Sequence, residues 1–224
     1  MSYPPAPWHL HGTAFVSLCL IDLAEARRRV PAEFEVVPIL PGKTLGSLYL
    51  SRYDDNSTLP YSELIVAESL VKYGDRTGSW ISHIYVDHPD SVAGGREIWG
   101  FPKELATFTW GDRDVAVKQG DQVLCHSRYT QVGLPLSWTG PSHLEGQVFS
   151  MLNTDILSFR GQFEAGLKWI SGSFVIPPES PFAALNPRWP WLTLELRNLH
   201  FLANASTAIG QRTTPLAPVA EATR

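Results

Sequence analysis

The chain has 224 residues, of which 44% are hydrophobic and 18% are charged. This composition is typical of a globular domain with an ordinary buried core, and it argues against a disordered chain. Lys and Arg total 18 against 22 Asp and Glu, a formal net charge of -4. We therefore expect no nucleic-acid partner, because phosphate binding needs a concentrated positive field.

No apolar run approaches the roughly 20 residues that a membrane-spanning helix needs, so we expect no membrane partner. The opening residues MSYPPAPWHLHG lack the basic patch and apolar segment of a secretory signal. Cys19 and Cys125 have neither zinc-site spacing nor the spacing of a disulfide framework. A reduced, cytoplasmic protein with two buried cysteines is expected, although the sequence leaves one disulfide bridge open.

Pro and Gly divide the chain into short segments rich in aromatic and β-branched residues, many of which alternate apolar with polar side chains. This alternation predicts strands with one buried face. The predicted strands are residues 14–20, 45–52, 64–71, 79–86, 106–110, 114–117, 122–130, 146–152, 155–164 and 191–201. In the last strand the apolar residues break the period of two, which predicts a bulge near Arg197 and Asn198.

One segment has the features of a helix. Asp22 is a suitable N-cap for residues 23–30, three arginines in the last turn suit the helix dipole, and Pro31 ends the helix. Residues 183–185 form a weaker and shorter helical candidate. The fold class is therefore mainly β (α+β), with one or two short helices and a closed or sandwiched sheet. We expect a single domain over residues 1–212 and a flexible tail over residues 213–224.

Residues 93–106, AGGREIWGFPKELA, carry the clearest chemical signal. Pro102 fixes the backbone before Lys103, and Trp99 and Phe101 surround that lysine with apolar mass. A lysine in water is protonated at neutral pH, whereas burial penalises the ammonium and favours the free amine. A free amine attacks a ketone or aldehyde and forms an iminium, which accepts electrons from a breaking C–C bond. The alternative is a lysine that ends a hairpin and points into solvent.

This segment resembles the active-site signature of the acetoacetate decarboxylase family, in which a Schiff-base lysine follows Gly-Arg-Glu and an aromatic-Pro pair. The matching residues are Gly95, Arg96, Glu97, Phe101, Pro102 and Lys103. Residues 60–63, Pro-Tyr-Ser-Glu, resemble the family's Tyr-x-Glu segment, whose glutamate lies beside the lysine. Residues 82–97 and the helix ending in Val30-Pro31 also resemble the family. The resemblance covers residues 7–140 well and the C-terminal third only by its β pattern.

The resemblance implies a cone-shaped, mostly antiparallel β-barrel that encloses a largely apolar cavity. It also implies a homo-oligomer and chemistry on a small-molecule carbonyl substrate without a cofactor or metal, because the protonated imine is itself the electron sink. Acetoacetate decarboxylase is a well-known case of a lysine activated by desolvation or a neighbouring cation, so this activation is carried over to Lys103 with the resemblance.

Three departures from the family pattern concern the reactive amine or the substrate. Glu104 stands where the decarboxylase of acetoacetate has a second lysine, and it leaves the amine available only if it points away from Lys103. Thr13 stands near the position of the cavity arginine, and Leu48 near that of a second cavity glutamate. The missing arginine puts acetoacetate itself in doubt as the substrate, without affecting the amine.

The resemblance and the residues together assign two catalytic candidates, Lys103 as the imine-forming nucleophile and Glu63 as a proton shuttle. Alternatively, Glu63 is a surface carboxylate, and Arg96 and Glu97 form a structural ion pair. For the aromatic residues, the alternative is ordinary core packing. The candidate substrate-binding residues are Tyr61, His83, Arg96, Trp99 and Phe101.

Other polar clusters are weaker. His9 and His11 share one strand face and form at most half of a metal site. His83 and His88, with Asp87 and Asp90, indicate a solvated turn around Pro89. The sequence thus predicts a Schiff-base lyase acting on a small oxo acid or ketone, with decarboxylation of a β-keto acid as the leading reaction. Aldolase or dehydratase chemistry through the same iminium remains open, as does a non-catalytic barrel that binds an apolar carbonyl compound.

Overall fold

The structure, a computed structural model, describes residues 3–131, 137–185 and 190–212. The predicted tail over residues 213–224 lies outside the described residues. The helices are α1 (Leu23–Arg29) and α2 (Pro89–Trp99), with a 3-10 turn at Ala183–Leu185. The strands are β1 (Trp8–Asp22), β2 (Glu35–Val36), β3 (Lys43–Tyr53), β4 (Ser62–Tyr73), β5 (Arg76–Val86), β6 (Lys103–Leu105), β7 (Thr107–Trp110), β8 (Asp114–Gln119), β9 (Gln122–Gln131), β10 (Ser137–Leu152), β11 (Asp155–Val175), β12 (Leu192–Ala203) and β13 (Thr207–Gln211).

Seven strands pair in a closed ring. Strands β5, β4, β3, β1, β12 and β11 pair in that order, each antiparallel to the next, and β10 pairs with both β11 and β5. The β5–β10 contact is parallel and joins only two residue pairs, Ser79 with Val148 and Trp80 with Phe149. Strands β9, β8 and β7 extend the sheet from β11. The predicted mainly β class with short helices is confirmed.

Strands β3 to β5 have buried residues on both faces, which explains why apolar residues occur at both odd and even positions along them. Leu48 and Val66 pack on one face with α1 and residues of β8 and β9. Tyr49 and Ala67, which point to the other face because side chains alternate along a strand, belong to a second cluster that surrounds the interior of the ring. Most of the predicted active-site residues lie on this interior side.

Helix α1 forms as its sequence predicts. The Asp22 carboxylate accepts hydrogen bonds from the backbone N–H groups of Ala24 and Glu25, and Val30 follows the last helical residue in an extended conformation. Ala26 is buried, and three arginines occupy the last turn, where the helix dipole favours positive charge.

The bulge predicted in the last long strand is confirmed. Gly12 opposes Leu199 and Ala14 opposes Leu196, so Thr13 on β1 stands against two residues of β12, Arg197 and Asn198. Asn198 adopts a positive φ of 49°, as the extra residue of a bulge often does. The extra residue shifts the alternation of inward and outward side chains along β12.

The predicted solvated turn around Pro89 is wrong, because Pro89 is the first residue of the 11-residue helix α2. His88 is its N-cap, and its imidazole accepts a hydrogen bond from the Asp90 N–H. Two adjacent glycines lower helix propensity in the middle of this segment and hide the helix from prediction by propensity alone. Proline at the first helical position and the left-handed Gly100 after the last one are the signals that mark it.

Cys19 and Cys125 are free and buried, as expected from their apolar neighbours. Burial raises the pKa of each thiol to about 12. Neither cysteine therefore offers a thiolate nucleophile at neutral pH. In the described part of the chain, no helix is both long and apolar enough to cross a membrane.

Candidate active site

Strand β6 places Lys103 and Glu104 on opposite faces. Lys103 pairs in parallel with Ile84 of β5, and its side chain is buried with 4% exposed. Glu104, one residue on, is exposed and accepts a hydrogen bond from the Gln119 amide at 2.7 Å. The carboxylate therefore points away from the amine, which removes the one local feature that argued against a reactive Lys103.

The two glycines of α2 make room for the lysine. A β-carbon at Gly95 would overlap the methylene carbons of Lys103, and one at Gly94 would lie 2.7 Å from the Trp8 ring. At these distances the neighbouring side chain would have to shift, because close-packed interiors have little space for an extra methyl group. The glycines are thus explained by the approach of the helix to Lys103 and Trp8.

Lys103 and Glu63 form a buried ion pair. The Lys103 Nζ and Glu63 Oε1 atoms are 2.7 Å apart, with 4% and 3% of the side chains exposed. The amine also donates to Ser91 Oγ at 3.1 Å and lies 3.4 Å from the Tyr61 hydroxyl. Ser91 belongs to α2, so β4, β6 and the helix together fix the position of the amine.

A chain of hydroxyl groups continues from the carboxylate. The Tyr53 hydroxyl donates to Glu63 Oε2 at 3.3 Å, and the Tyr49 and Tyr53 hydroxyl oxygens are 3.0 Å apart. Burial raises the pKa of Tyr53 and Tyr61 well above the ordinary value, and the Glu63 carboxylate adds to the effect. Burial raises the pKa of Tyr49 as well. All three hydroxyls keep their protons at neutral pH and can donate them in hydrogen bonds.

Arg96 holds the backbone next to the amine. Its Nε donates to the Lys103 carbonyl oxygen at 2.8 Å, and the Phe101 N–H donates to the Gly95 carbonyl at 3.0 Å. These bonds join the end of α2 to the start of β6. The expected Arg96–Glu97 ion pair is wrong for the described part of the chain, since Glu97 instead accepts from the Tyr3 hydroxyl at 2.5 Å.

The amine and the carboxylate open onto a cavity of about 380 Å³ inside the ring of strands. Most residues that line it are aliphatic or aromatic. Among the described lining residues, the charged ones are Lys103, Glu63 and Glu145, and Glu145 is an exposed residue of β10. A concave, mostly apolar site with few converging polar groups is the usual form of a small-molecule site.

Aromatic rings follow one another along the wall of the cavity. Trp8 and Trp99 meet edge to face with centroids 4.8 Å apart, and Phe163 and Phe201 stack at 4.3 Å. Phe159 lies between these two pairs, 6.3 Å from Trp99 and 6.2 Å from Phe201. We call these five residues the aromatic wall. It runs from the Lys103 end of the cavity, where the Nζ lies 5.9 Å from the Trp8 ring centroid, towards Phe163.

The structure brings together five of the seven residues that the sequence singles out. The five that line the cavity are Lys103, Glu63, Tyr61, Trp99 and Phe101. Arg96 is exposed outside the cavity and contacts the Lys103 backbone, so its expected contact with substrate is replaced by a structural one. His83 packs against Tyr85 and Phe182 in the other core cluster and does not line the cavity.

Thr13 and Leu48 stand near the positions of the cavity arginine and the second cavity glutamate implied by the resemblance. Neither belongs to the described lining of the cavity. Leu48 packs in the other core cluster, on the opposite face of β3. Among the described residues that form this site, therefore, no arginine occupies the place of a carboxylate-binding group.

Sequence reasoning missed Ser91, Tyr49 and Tyr53. Tyr49 and Tyr53 lie four positions apart on one strand, and this even spacing places both side chains on one face. Ser91 could be found only after α2 is recognised, since it lies one helical turn before Gly94 and Gly95. Even spacing was therefore the signal for the two tyrosines, and the residues that mark the ends of α2, Pro89 and Gly100, were the signal for Ser91.

Two further features lie apart from this site. A polar depression of about 490 Å³ is lined by Arg76 and Arg160 among others, and it contains neither Lys103 nor Glu63. His9 and His11 are joined by His200, whose ring stacks on that of His11 with centroids 4.4 Å apart. Within residues 3–131, 137–185 and 190–212, no group of three potential metal ligands is placed to hold an ion.

The sequence profile described as acetoacetate decarboxylase (ADC) matches residues 1–139. The chain belongs to the acetoacetate decarboxylase family. It is 33% identical over 108 residues to Protein NEOXANTHIN-DEFICIENT 1 of Oryza sativa subsp. japonica, a match that covers 48% of this chain and 35% of the relative. The chain spans only about a third to just over half of the length of the curated plant relatives that it matches.

Two solved structures share the fold of this chain. Acetoacetate decarboxylase from Legionella pneumophila superimposes with a TM-score of 0.76 at 18% identity, over 96% of this chain and 91% of that one. The enduracididine biosynthesis enzyme MppR, complexed with the condensation product of pyruvate and imidazole 4-carboxaldehyde, gives 0.61 at 16% identity, over 93% and 89%. The fold is therefore shared by proteins with different names and activities.

Proposed function

We propose that this chain is a Schiff-base-forming carbon-carbon lyase that acts on a small oxo acid or ketone, and that its leading reaction is the decarboxylation of a β-keto acid. The observation that carries this proposal is the buried Lys103 amine, 2.7 Å from the Glu63 carboxylate at the end of an apolar cavity. A lysine is rarely buried without a function or a partner that holds it.

The ion pair supplies a nucleophile by a single proton transfer. Movement of one proton from Nζ to Oε1 across the 2.7 Å contact leaves a neutral amine beside a neutral carboxylic acid. A low-dielectric site lowers the free energy of this neutral pair relative to that of the ammonium–carboxylate pair, because burying charges is costly. The entry of an apolar substrate, which displaces water, favours the same direction.

The reaction then follows from the amine. The lysine nitrogen attacks the ketone carbon to form a carbinolamine, and the protonated Glu63 gives its proton to the departing hydroxyl, which leaves as water. In the resulting iminium, the bond to the carboxylate carbon breaks, its electron pair moves towards the nitrogen, and carbon dioxide leaves. Protonation of the enamine carbon and addition of water release the ketone and restore the amine.

The neighbouring hydroxyls have separate roles in this proposal. Ser91 and Tyr61 contact the amine and orient its lone pair towards the cavity. Tyr53 contacts the second carboxylate oxygen of Glu63, and Tyr49 extends the chain to the cavity wall. Tyr49 and Tyr53 thus connect Glu63 to a proton donor that faces the substrate, which suits reprotonation of the enamine.

Aldol condensation with dehydration is the second candidate, because it uses the same iminium and enamine. The complex of MppR with a condensation product, on a similar fold, is the observation that favours it. The two reactions are separated by measuring carbon dioxide release from β-keto acids with and without an added aldehyde. Gas release that needs no aldehyde supports the decarboxylase, whereas aldehyde loss without gas supports the condensing enzyme.

A binding protein without catalysis is tested in the same assay with two variants. Lys103→Arg keeps the positive charge and removes the primary amine, whereas Lys72→Arg makes the same change at an exposed position of β4. We expect the first variant to lose turnover and the second to keep it. Carbonyl compounds that bind tightly without turnover in the wild type would instead indicate a binding barrel.

A further inference from the structure

We propose that the substrate is a β-keto acid with an extended apolar carbon chain, longer than that of acetoacetate, and that the aromatic wall binds this chain. The inference rests on the proposed Schiff-base function and names the class of substrate for it. Three properties of the cavity support it: its length, its volume and the position of its charges.

The cavity extends well beyond the reacting groups. Glu63, Ile65 and Ala67 are successive inward-pointing residues of β4, and all three line it. At about 3.3 Å per residue, the four steps from Glu63 to Ala67 span about 13 Å along the strand. Ile84 and Ile81 of β5 pair with Ile65 and Ala67 and line the same length of the cavity.

The volume is larger than a four-carbon acid needs. A water molecule in the liquid occupies about 30 Å³, so a cavity of about 380 Å³ has room for about a dozen non-hydrogen atoms. Acetoacetate has four carbons and three oxygens, and 3-oxooctanoate, with eight carbons and three oxygens, fills the space. Acetoacetate therefore leaves part of the cavity unfilled, and Phe159, Phe163 and Phe201 are lining residues that can contact a longer chain.

The charges select against a second carboxylate at the far end of the substrate. Lys103, the cation among the described lining residues, is already paired with Glu63. The remaining charged residue, Glu145, would repel a carboxylate, and its ion-pair partner Arg160 is 64% exposed. A buried carboxylate without a counter-ion is strongly unfavourable. The carboxylate that leaves as carbon dioxide is the exception, since it loses its charge in the reaction.

The test compares substrates that differ in one property. We expect kcat/KM for carbon dioxide release to rise roughly threefold to fourfold for each added methylene from 3-oxobutanoate to 3-oxooctanoate, in line with the gain from burying a methylene. At equal chain length, 3-oxohexanoate should exceed 3-oxoadipate by a factor of at least about ten, because the second acid carries a terminal carboxylate.

A substitution tests where in the cavity the apolar carbon chain of the substrate binds. Ala67→Leu fills the end of the cavity away from Lys103, and Ala24→Leu makes the same change at an exposed position of α1. We expect Ala67→Leu to remove the preference for 3-oxooctanoate over 3-oxobutanoate while the shorter acid still forms a borohydride-trapped adduct at Lys103. That adduct shows that the variant is folded. Ala24→Leu should leave the preference unchanged.

The outcomes separate the two proposals. If 3-oxobutanoate or 3-oxoadipate reacts as well as 3-oxohexanoate and 3-oxooctanoate, the inference about the apolar chain is overturned and the Schiff-base function stands. If none of these acids forms an adduct at Lys103, the proposed function itself is overturned.

Discussion

The backbone of Gly95 in α2 lies directly against the side chain of Lys103 in β6, which fills the space that a β-carbon would occupy. The lysine side chain extends past this glycine towards Glu63 and Ser91. The position of the amine therefore depends on the absence of a side chain in the neighbouring helix.

Gly95→Ala should displace the Lys103 amine. Alanine favours a helix over glycine by about 1 kcal/mol, so α2 itself gains, but the added methyl overlaps the lysine. We expect the rate of borohydride-trapped adduct formation to fall at least about tenfold, as the amine leaves its productive geometry. Gly166→Ala is the control, since its β-carbon would meet only an ordinary contact at 3.7 Å. Equal adduct rates in the two variants would contradict this role of Gly95.

Glu63→Gln tests the proton shuttle with a side chain of the same shape. The amide cannot accept the proton from Nζ and return it to the departing hydroxyl. We expect turnover of 3-oxo acids to fall by roughly 10²–10⁴-fold, the usual contribution of a general acid-base group. Glu35→Gln, at an exposed position of β2, is the matched control. Turnover within a factor of about two of the wild type would show that Glu63 does not shuttle a proton.

Tyr53→Phe tests the chain of hydroxyls. The substitution removes the contact with Glu63 Oε2 and separates Tyr49 from the carboxylate. We expect turnover to fall about tenfold, while adduct formation at Lys103 continues because the amine contacts other partners. Tyr129→Phe is the control, since the Tyr129 hydroxyl is buried without a hydrogen-bond partner in the described part of the chain. Equal turnover in both variants would exclude Tyr53 from the reaction.

Glu68→Gln should change the dependence of stability on pH. Burial raises the pKa of the Glu68 carboxyl above 4.5, although Arg29 at 3.7 Å partly opposes this. The folded state then holds the proton to a higher pH than the unfolded chain does, so this residue's contribution to stability falls as pH rises from about 4.5 through the folded pKa. Relative to the wild type, the variant should gain more stability at pH 7 than at pH 4.

Urea unfolding at both pH values, followed by circular dichroism, measures this difference. Glu35→Gln serves again as the exposed control and should show a difference between the two pH values close to that of the wild type. A gain for Glu68→Gln that is the same at pH 4 and pH 7 would contradict the raised pKa.

Much of the site was predictable because its signals are local. The order of Glu63 and Lys103, the aromatic residues before the lysine and the alternation of β4 and β5 are all present in short stretches of sequence. The capping residue Asp22 and the arginines after it similarly predict α1 from local chemistry. The bulge in β12 is also local, since it interrupts a period of two.

The remaining features depend on contacts between distant segments. Helix α2 contains two glycines that lower its propensity, and only the approach of Trp8 and Lys103 explains them. The expected contact of Arg96 with substrate was wrong for the same reason, because the closing of α2 onto β6 directs its guanidinium to the Lys103 carbonyl and away from the cavity. Alternation along β5 places His83 on the same face as Tyr85, and only the packing of Phe182 against both shows that this face is turned away from the cavity.

The proposed reaction requires the Lys103 amine to form an iminium with a carbonyl substrate. The most direct measurement is borohydride reduction in the presence of a 3-oxo acid, followed by mass spectrometry of the proteolytic peptides. We predict a stable adduct on the peptide containing Lys103 in the wild type and in Lys72→Arg, and none in Lys103→Arg. An unmodified Lys103 peptide in the wild type, while the 3-oxo acid is being converted, would contradict this mechanism.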